Sequence, residues 1–291
     1  MNMDNKVLAC VDQSPWADHV ADYAAWAARR LDAPLEFLHV IDRHPERGSG
    51  KDHSGSIGVG AQEALLTELS EQDAAFARTA REQGRVFLNR LRERASAEGA
   101  GCIDTRQRYG ELEETLIDQQ RDVRLLVIGR RGESASSQAT ATQRDLGRNV
   151  ERVVRALTRP ILTVTDAFRA PQKVLVAYDG GGVTRRGIDM LATSPLLRGL
   201  DVHVLMSGPE RPGAPKDIEQ ACATLSAGGL TASGRIIPGD PEQVIAQYAA
   251  NEGMDLLVMG AWSHSPLRSL LFGSKTSDLL RSARLPVLLL R

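Results

Sequence analysis

No long apolar run, no excess of charge of one sign and very little cysteine mark this sequence, and each shortage removes a class of function. A membrane span needs about 20 apolar residues in succession, and no stretch of the 291 residues approaches that. The net charge is −1 with 25% of residues charged, so no basic field advertises binding to nucleic acid or to an anionic membrane surface. Cys10, Cys102 and Cys222 are odd in number, far apart and without a Cys-x-x-Cys pair. That usage argues against a structural zinc site and fits reduced thiols in a reducing compartment. A soluble cytoplasmic protein that binds neither nucleic acid nor membrane is the expectation.

What is present is a repeat. Lys6-Val-Leu-Ala-Cys-Val-Asp12 returns as Lys173-Val-Leu-Val-Ala-Tyr-Asp179, in each case an apolar run closed by aspartate, as expected of a strand covered on both faces. Leu125-Leu-Val-Ile-Gly129 returns as Leu256-Leu-Val-Met-Gly260, and Arg159-Pro-Ile-Leu-Thr-Val164 as Leu285-Pro-Val-Leu-Leu-Leu290. Such self-similarity in constant order signals a duplicated unit. Before each final strand an i, i+3, i+4, i+7 face recurs, Val150, Val153, Val154 and Leu157 against Thr276, Leu279, Leu280 and Ala283, which predicts an amphipathic helix.

Strand and helix patterns alternate throughout. Helices are expected at Pro15 to Leu31, Ala61 to Glu98, Glu111 to Arg121 and Arg148 to Leu157. Their counterparts are Val183 to Leu197, Lys216 to Ala227, Pro241 to Asn251 and Lys275 to Arg284. Alternation with right-handed crossovers gives an α/β fold of two tandem doubly wound domains, 1–166 and 171–291, each a Rossmann-like five-stranded parallel sheet flanked by helices. The junction Asp166-Ala-Phe-Arg-Ala-Pro171 is too short for a free linker, so the halves should pack together. The last strands, Ile161 to Val164 and Val287 to Leu290, are candidate exposed edges, which proteins tend to cover or pair. Pairing them within the chain makes an intramolecular pseudo-dimer; a homodimer stays open.

The first half carries a longer segment after its second strand, with the Gly/Ser-rich stretch Arg47 to Gly60. A mobile polar loop fits it. It lacks a Walker A motif, because Gly50-Lys51 is followed by Asp52. Asp42, His44, Asp52 and His53 have no metal-ligand spacing, and no metal site or catalytic residue is assigned.

In an open parallel sheet the ligand crevice lies at the carboxyl ends of the strands, where the strand order reverses. Asp12 and Asp179 fall there, either as hydrogen-bond acceptors for a ligand or as turn residues. Ser14 and Pro15 look like a cap and first turn, which leaves Asp12 without a capping duty. Gly110-Glu111 and Gly239-Asp240 read first as turn and helix cap. In the second half Gly260 leaves the fourth strand, a loop containing Ser263 and Arg268 follows, and Gly273-Ser274 opens the last helix. Free N–H groups and the helix dipole at such a point favour an anion, although a glycine turn with a serine cap would look the same.

Together these motifs resemble the universal stress protein family, over almost the whole chain as a tandem member. The family pattern is Gly-x-x-Gly, nine residues, then Gly-Ser or Gly-Thr, and the second half keeps that spacing. The resemblance implies ATP as ligand, with Mg2+ only alongside the nucleotide. It assigns Asp179 to the adenosine and Gly260, Ser263, Gly273 and Ser274 to the ribose and phosphates, with Arg268 as a further phosphate contact. Ser263 stands where the pattern has glycine. A left-handed backbone there costs about 1 to 2 kcal/mol, and a hydroxyl bond to a charged phosphate returns about 1.5 to 3.

The first half departs further. Gly129-Arg-Arg-Gly132 begins as the pattern does, but fourteen residues precede Gly147, and Arg148 replaces the hydroxyl residue. Asp12, Gly129, Gly132, Gly147 and Arg148 are thus the remains of a degenerate site. Arg130, Arg131 and Arg148 could hold another anion by charge-assisted bonds or be plain surface arginines. The expected function is ATP-dependent regulation through an unknown protein partner, with hydrolysis at most slow, since no acidic cluster or base is evident. A ligand-free tandem scaffold and an ATP-using enzyme of a related fold are the alternatives.

Overall fold

The structure, a computed structural model, describes residues 4–41, 59–130, 148–164, 167–260 and 285–291, with the side chains of residues 59–76, 148 and 149 excepted. The expected loop through residues 42–58, with its four metal-ligand candidates, and the helix Lys275 to Arg284 lie outside the described residues.

The first half contains strands β1 (Lys6–Cys10), β2 (Leu35–Ile41), β3 (Ile103–Tyr109), β4 (Val123–Gly129) and β5 (Ile161–Val164). Its helices are α1 (Ala17–Leu31), α2 (Val59–Ala97), α3 (Leu112–Gln119) and α4 (Arg148–Ala156). The second half has β6 (Lys173–Ala177), β7 (Asp201–Gly208), β8 (Thr231–Pro238), β9 (Leu256–Gly260) and β10 (Val287–Leu290), with α5 (Gly182–Thr193), α6 (Ala214–Ala227) and α7 (Pro241–Glu252). Helix α2 has 39 residues and α6, its counterpart, has 14; this accounts for much of the extra length of the first half.

Each half is the expected five-stranded parallel sheet, in the orders β3-β2-β1-β4-β5 and β10-β9-β6-β7-β8. The two are joined into one ten-stranded sheet by β5 and β10, which pair antiparallel with Leu162 opposite Leu288. The Thr163 hydroxyl donates to the Val287 carbonyl at 3.3 Å in a buried position. Both last strands therefore satisfy their edges on each other. The central parallel strands β1, β4, β6 and β9 are largely apolar on both faces because helices cover both, whereas the outer strands β3 and β8 are polar and partly exposed. One core lies beneath α1, α2, α5 and α6 and runs from Val7 and Leu125 through Leu162 and Leu288 to Val174. The other lies beneath α3, α4 and α7 and runs from Leu8 and Leu126 through Ile161 and Leu289 to Leu175. The predicted face of α4, Val150, Val153, Val154 and Leu157, is buried in it.

Further ties cross the junction. The Tyr23 hydroxyl on α1 donates to the Ala167 carbonyl at 3.2 Å, and its ring meets Phe168 edge-on at 4.8 Å. Arg30 donates to the carbonyls of Leu196, at 2.9 Å, and Arg198. The predicted start of α1 needs correction. The helix begins at Ala17, and its cap position is Trp16 with no side-chain cap bond. The Ser14 amide instead donates to Asp12 Oδ1 at 3.2 Å, so the aspartate and not the serine shapes the turn.

Because residues of both halves share each core, the chain should unfold as one unit. Leu162→Ala, at a position 1% exposed, is expected to destabilise by about 2–5 kcal/mol. Scanning calorimetry should show a single transition moved to lower temperature, and two separate transitions would mean that the halves are independent.

Candidate functional site

The strand order reverses between β1 and β4 in the first half and between β6 and β9 in the second. Asp12 and Gly129 stand at the carboxyl ends of the first pair, Asp179 and Gly260 at those of the second. These four candidates are therefore brought to the expected crevices. Ser263, Arg268, Gly273, Ser274, Gly132 and Gly147 lie outside the described residues, and Arg148 is described only as the first residue of α4.

Asp179 is exposed and organises the turn between β6 and α5. Its Oδ1 accepts the Gly181 amide at 2.8 Å and the Thr184 hydroxyl at 2.5 Å. The first bond repeats that of Ser14 to Asp12, so both aspartates make the same two-residue-ahead turn. The second bond has no counterpart, since Ala17 stands where the second half has Thr184. Among the described residues no hydrogen bond falls on Asp179 Oδ2, which leaves that oxygen to accept from a ligand. Gly260 ends β9 against the same first turn of α5. A Cβ added there would lie 3.2 Å from Val183 Cγ1 and 3.3 Å from Thr184 Cγ2, tighter than side chains ordinarily pack. Thr184 thus touches both candidates and fixes their relation.

Beside Asp179 opens a cleft of about 860 Å³ at the carboxyl ends of β7 and β8, lined by Asp179, Met206, Ser207, Glu210, Arg211 and Ile236 among others. Arg211 was not legible as a site residue. Its Nη2 donates to the Asp179 carbonyl at 2.8 Å and meets Asp217 Oδ2 at 3.0 Å, and Arg185 Nη2 meets the other oxygen of Asp217 at 3.0 Å. Beneath them Tyr178 is nearly buried. Burial holds its hydroxyl above the usual tyrosine range, partly opposed by a hydrogen bond from Arg185, which is itself raised chiefly by that bond. The only sequence signal was an arginine amid prolines and glycines just past a strand, Gly208-Pro-Glu-Arg-Pro-Gly213.

The first half offers different chemistry. Where Arg185 pairs with Asp217, the equivalent Asp18 pairs with Arg90 at 2.9 Å and Arg94 at 3.5 Å of α2, so the charges are exchanged between helices. A concavity of about 450 Å³ at the end of β3 is lined by Glu111, Glu114 and Asp118 against Arg108, which disfavours an anion. Arg130 is not a free surface cation: its guanidinium donates to the Leu285 carbonyl in the other half. Among the described residues no group of three or more His, Cys, Asp or Glu is placed to hold a metal. None of their helices is long and apolar enough to cross a membrane.

The glycine–acid pairs separate into two cases. Gly110 and Gly239 have φ of 139° and 138°, the same turn twice. Asp240 caps α7 through the amides of Glu242 and Gln243 at 3.1 and 3.3 Å, whereas Glu111 makes no cap bond and lies 3.9 Å from Arg152.

Comparison with known proteins decides the family. The model described as "Universal stress protein family" matches residues 3–165 and again 171–291. The chain belongs to the universal stress protein family. It is 31% identical to universal stress protein Slr1230 of Synechocystis over 288 residues, 98% of this chain and 99% of that one. A universal stress protein from Archaeoglobus fulgidus has the same fold, with a TM-score of 0.71 at 17% identity, covering 99% of this chain and 98% of that one. Protein PA1789 of Pseudomonas aeruginosa, called functionally unknown, superposes with a TM-score of 0.59 at 18% identity, over 99% and 92% of the two chains.

Asp240→Ala should cost about 0.5–2 kcal/mol through loss of the α7 cap, measured by chemical denaturation. Thr184→Ala, which removes the hydroxyl on Asp179, should cost about 0.5–1.5 kcal/mol. Losses well outside these ranges would contradict the local roles given to the two side chains.

Proposed function

We propose that this universal stress protein is an adenine-nucleotide-binding regulatory protein whose second half takes ATP. The observation that carries the proposal is the cleft at the carboxyl ends of β7 and β8, bordered by Asp179, whose partner Thr184 also packs against the strand end Gly260. Its volume lies within the roughly 300–1,000 Å³ usual for small-ligand pockets. Asp179 Oδ2 is an acceptor for a ribose hydroxyl or base amine. The segment from Gly260 to Gly273-Ser274 keeps the family spacing for ribose and phosphates, with Ser263, Ser274 and Arg268 supplying donors and Mg2+ entering only with the nucleotide.

Asp12, Gly129, Gly132, Gly147 and Arg148 of the first half take no nucleotide in this reading. The loop spacing there is altered, and Arg130 donates to the Leu285 carbonyl of the other half. ATP acts by favouring one arrangement of the second half over another, and a protein partner responds to the difference; the shift equals the difference in affinity between the two states. A ligand-free scaffold is the competing reading, favoured by the engagement of Asp179 Oδ1 with Gly181 and Thr184.

Thermal and chemical denaturation with ATP test the proposal. At 100 times its dissociation constant, ATP should stabilise the chain by about 2.7 kcal/mol. Gly273→Val should abolish the stabilisation and Gly147→Val should leave it intact. No stabilisation at millimolar ATP favours the scaffold, and equal losses in both variants would contradict the assignment to the second half.

A further inference from the structure

Arg211 has a structural setting that the family motifs do not account for. It lies in the segment between β7 and α6 and lines the cleft, with its side chain 43% exposed. One nitrogen, Nη2, meets the Asp179 carbonyl, the Asp217 carboxylate and, at 3.6 Å, the sulfur of Met206, and these contacts restrain the plane of the guanidinium. Directly beneath is Gly180. A Cβ there would stand 2.3 Å from Nη2 and 3.3 Å from Cζ, so glycine alone leaves room for the group to lie over the chain. The other cleft walls include Met206, Pro209, Pro212, Ile236 and Pro238, and no aromatic side chain lines the cleft among the described residues.

We infer that Arg211 is a stacking residue for the base, its restrained guanidinium forming the flat partner for a neutral heterocycle in the cleft that Met206 and Ile236 also line. The inference rests on the nucleotide reading above. The physical reason is that a planar, weakly hydrated cation is attracted to the face of an aromatic ring. Phosphate is the obvious competing partner for an arginine, and the strand order argues against it. The segment that would hold phosphates leaves β9, on one side of β6, whereas Arg211 follows β7, on the other. Base and phosphate are thus divided across β6, with Asp179 between them. The first half differs at the position that makes room for the guanidinium, because Gln13 stands where the second half has Gly180.

The test compares full-length wild type, Arg211→Ala and Arg211→Gln in titrations with ATP, adenosine, 1-methyladenosine and inorganic tripolyphosphate. The base of 1-methyladenosine is cationic at neutral pH and should be repelled by the guanidinium. Both variants are expected to weaken adenosine about tenfold and to leave tripolyphosphate unaffected. They should also reduce the wild-type preference for adenosine over 1-methyladenosine, which loss of a merely structural contact would not change. Glutamine retains an amide able to donate to the Asp179 carbonyl, so a loss shared by both variants is not a loosened turn. Unchanged adenosine affinity and preference in folded variants, or a loss confined to tripolyphosphate, would overturn the stacking role while ATP binding by the wild type stands. A wild type that binds neither adenosine nor ATP would remove the nucleotide reading as well.

Discussion

The antiparallel pairing of β5 with β10 is the constraint on which the rest of the molecule depends. A five-stranded parallel sheet that ends on a short strand whose side chains belong in the core exposes a row of unpaired backbone groups beside a hydrophobic surface, a template for association. Here each half supplies the other's missing neighbour, and the cores above and below the sheet become continuous across the seam. The ties of Tyr23 to Ala167, Arg30 to Leu196 and Arg130 to Leu285 reinforce that one contact.

The direction of the pairing has a functional corollary. Strands within each half are parallel and the seam is antiparallel, so the carboxyl ends of the two halves, and with them the two crevices, lie at opposite ends of the sheet. Among the described residues neither crevice borrows from the other. Duplication therefore left each free to diverge while the seam held both in place. The first half placed an acid on α1 and arginines on a lengthened α2, and turned Arg130 to the seam. The second placed an arginine on α5, an acid on α6, and Arg211 over the glycine after Asp179.

The strands and most helices were legible because their apolar patterns are dictated by burial, and the repeat displayed each pattern twice. Intramolecular pairing of the last strands followed from the same reasoning about edges. The start of α1 was misread because Ser14-Pro15 satisfies the local rules for a helix cap, whereas the amide of Ser14 is drawn to Asp12 by a turn that sequence spacing does not reveal. Asp179 and Gly260 were legible as strand ends beside a crevice. Arg211, Asp217 and Tyr178 were not, because their meeting depends on how α5 and α6 pack across 39 residues of chain, from 178 to 217, and no local period records that.

Architecture duplicated and binding confined to one half is the central claim, and nucleotide stoichiometry is its most direct measure. Native mass spectrometry of the full chain across an ATP titration should show a single bound nucleotide per chain at saturation. Two nucleotides per chain would contradict the divergence of the halves, and none would contradict the proposed site itself.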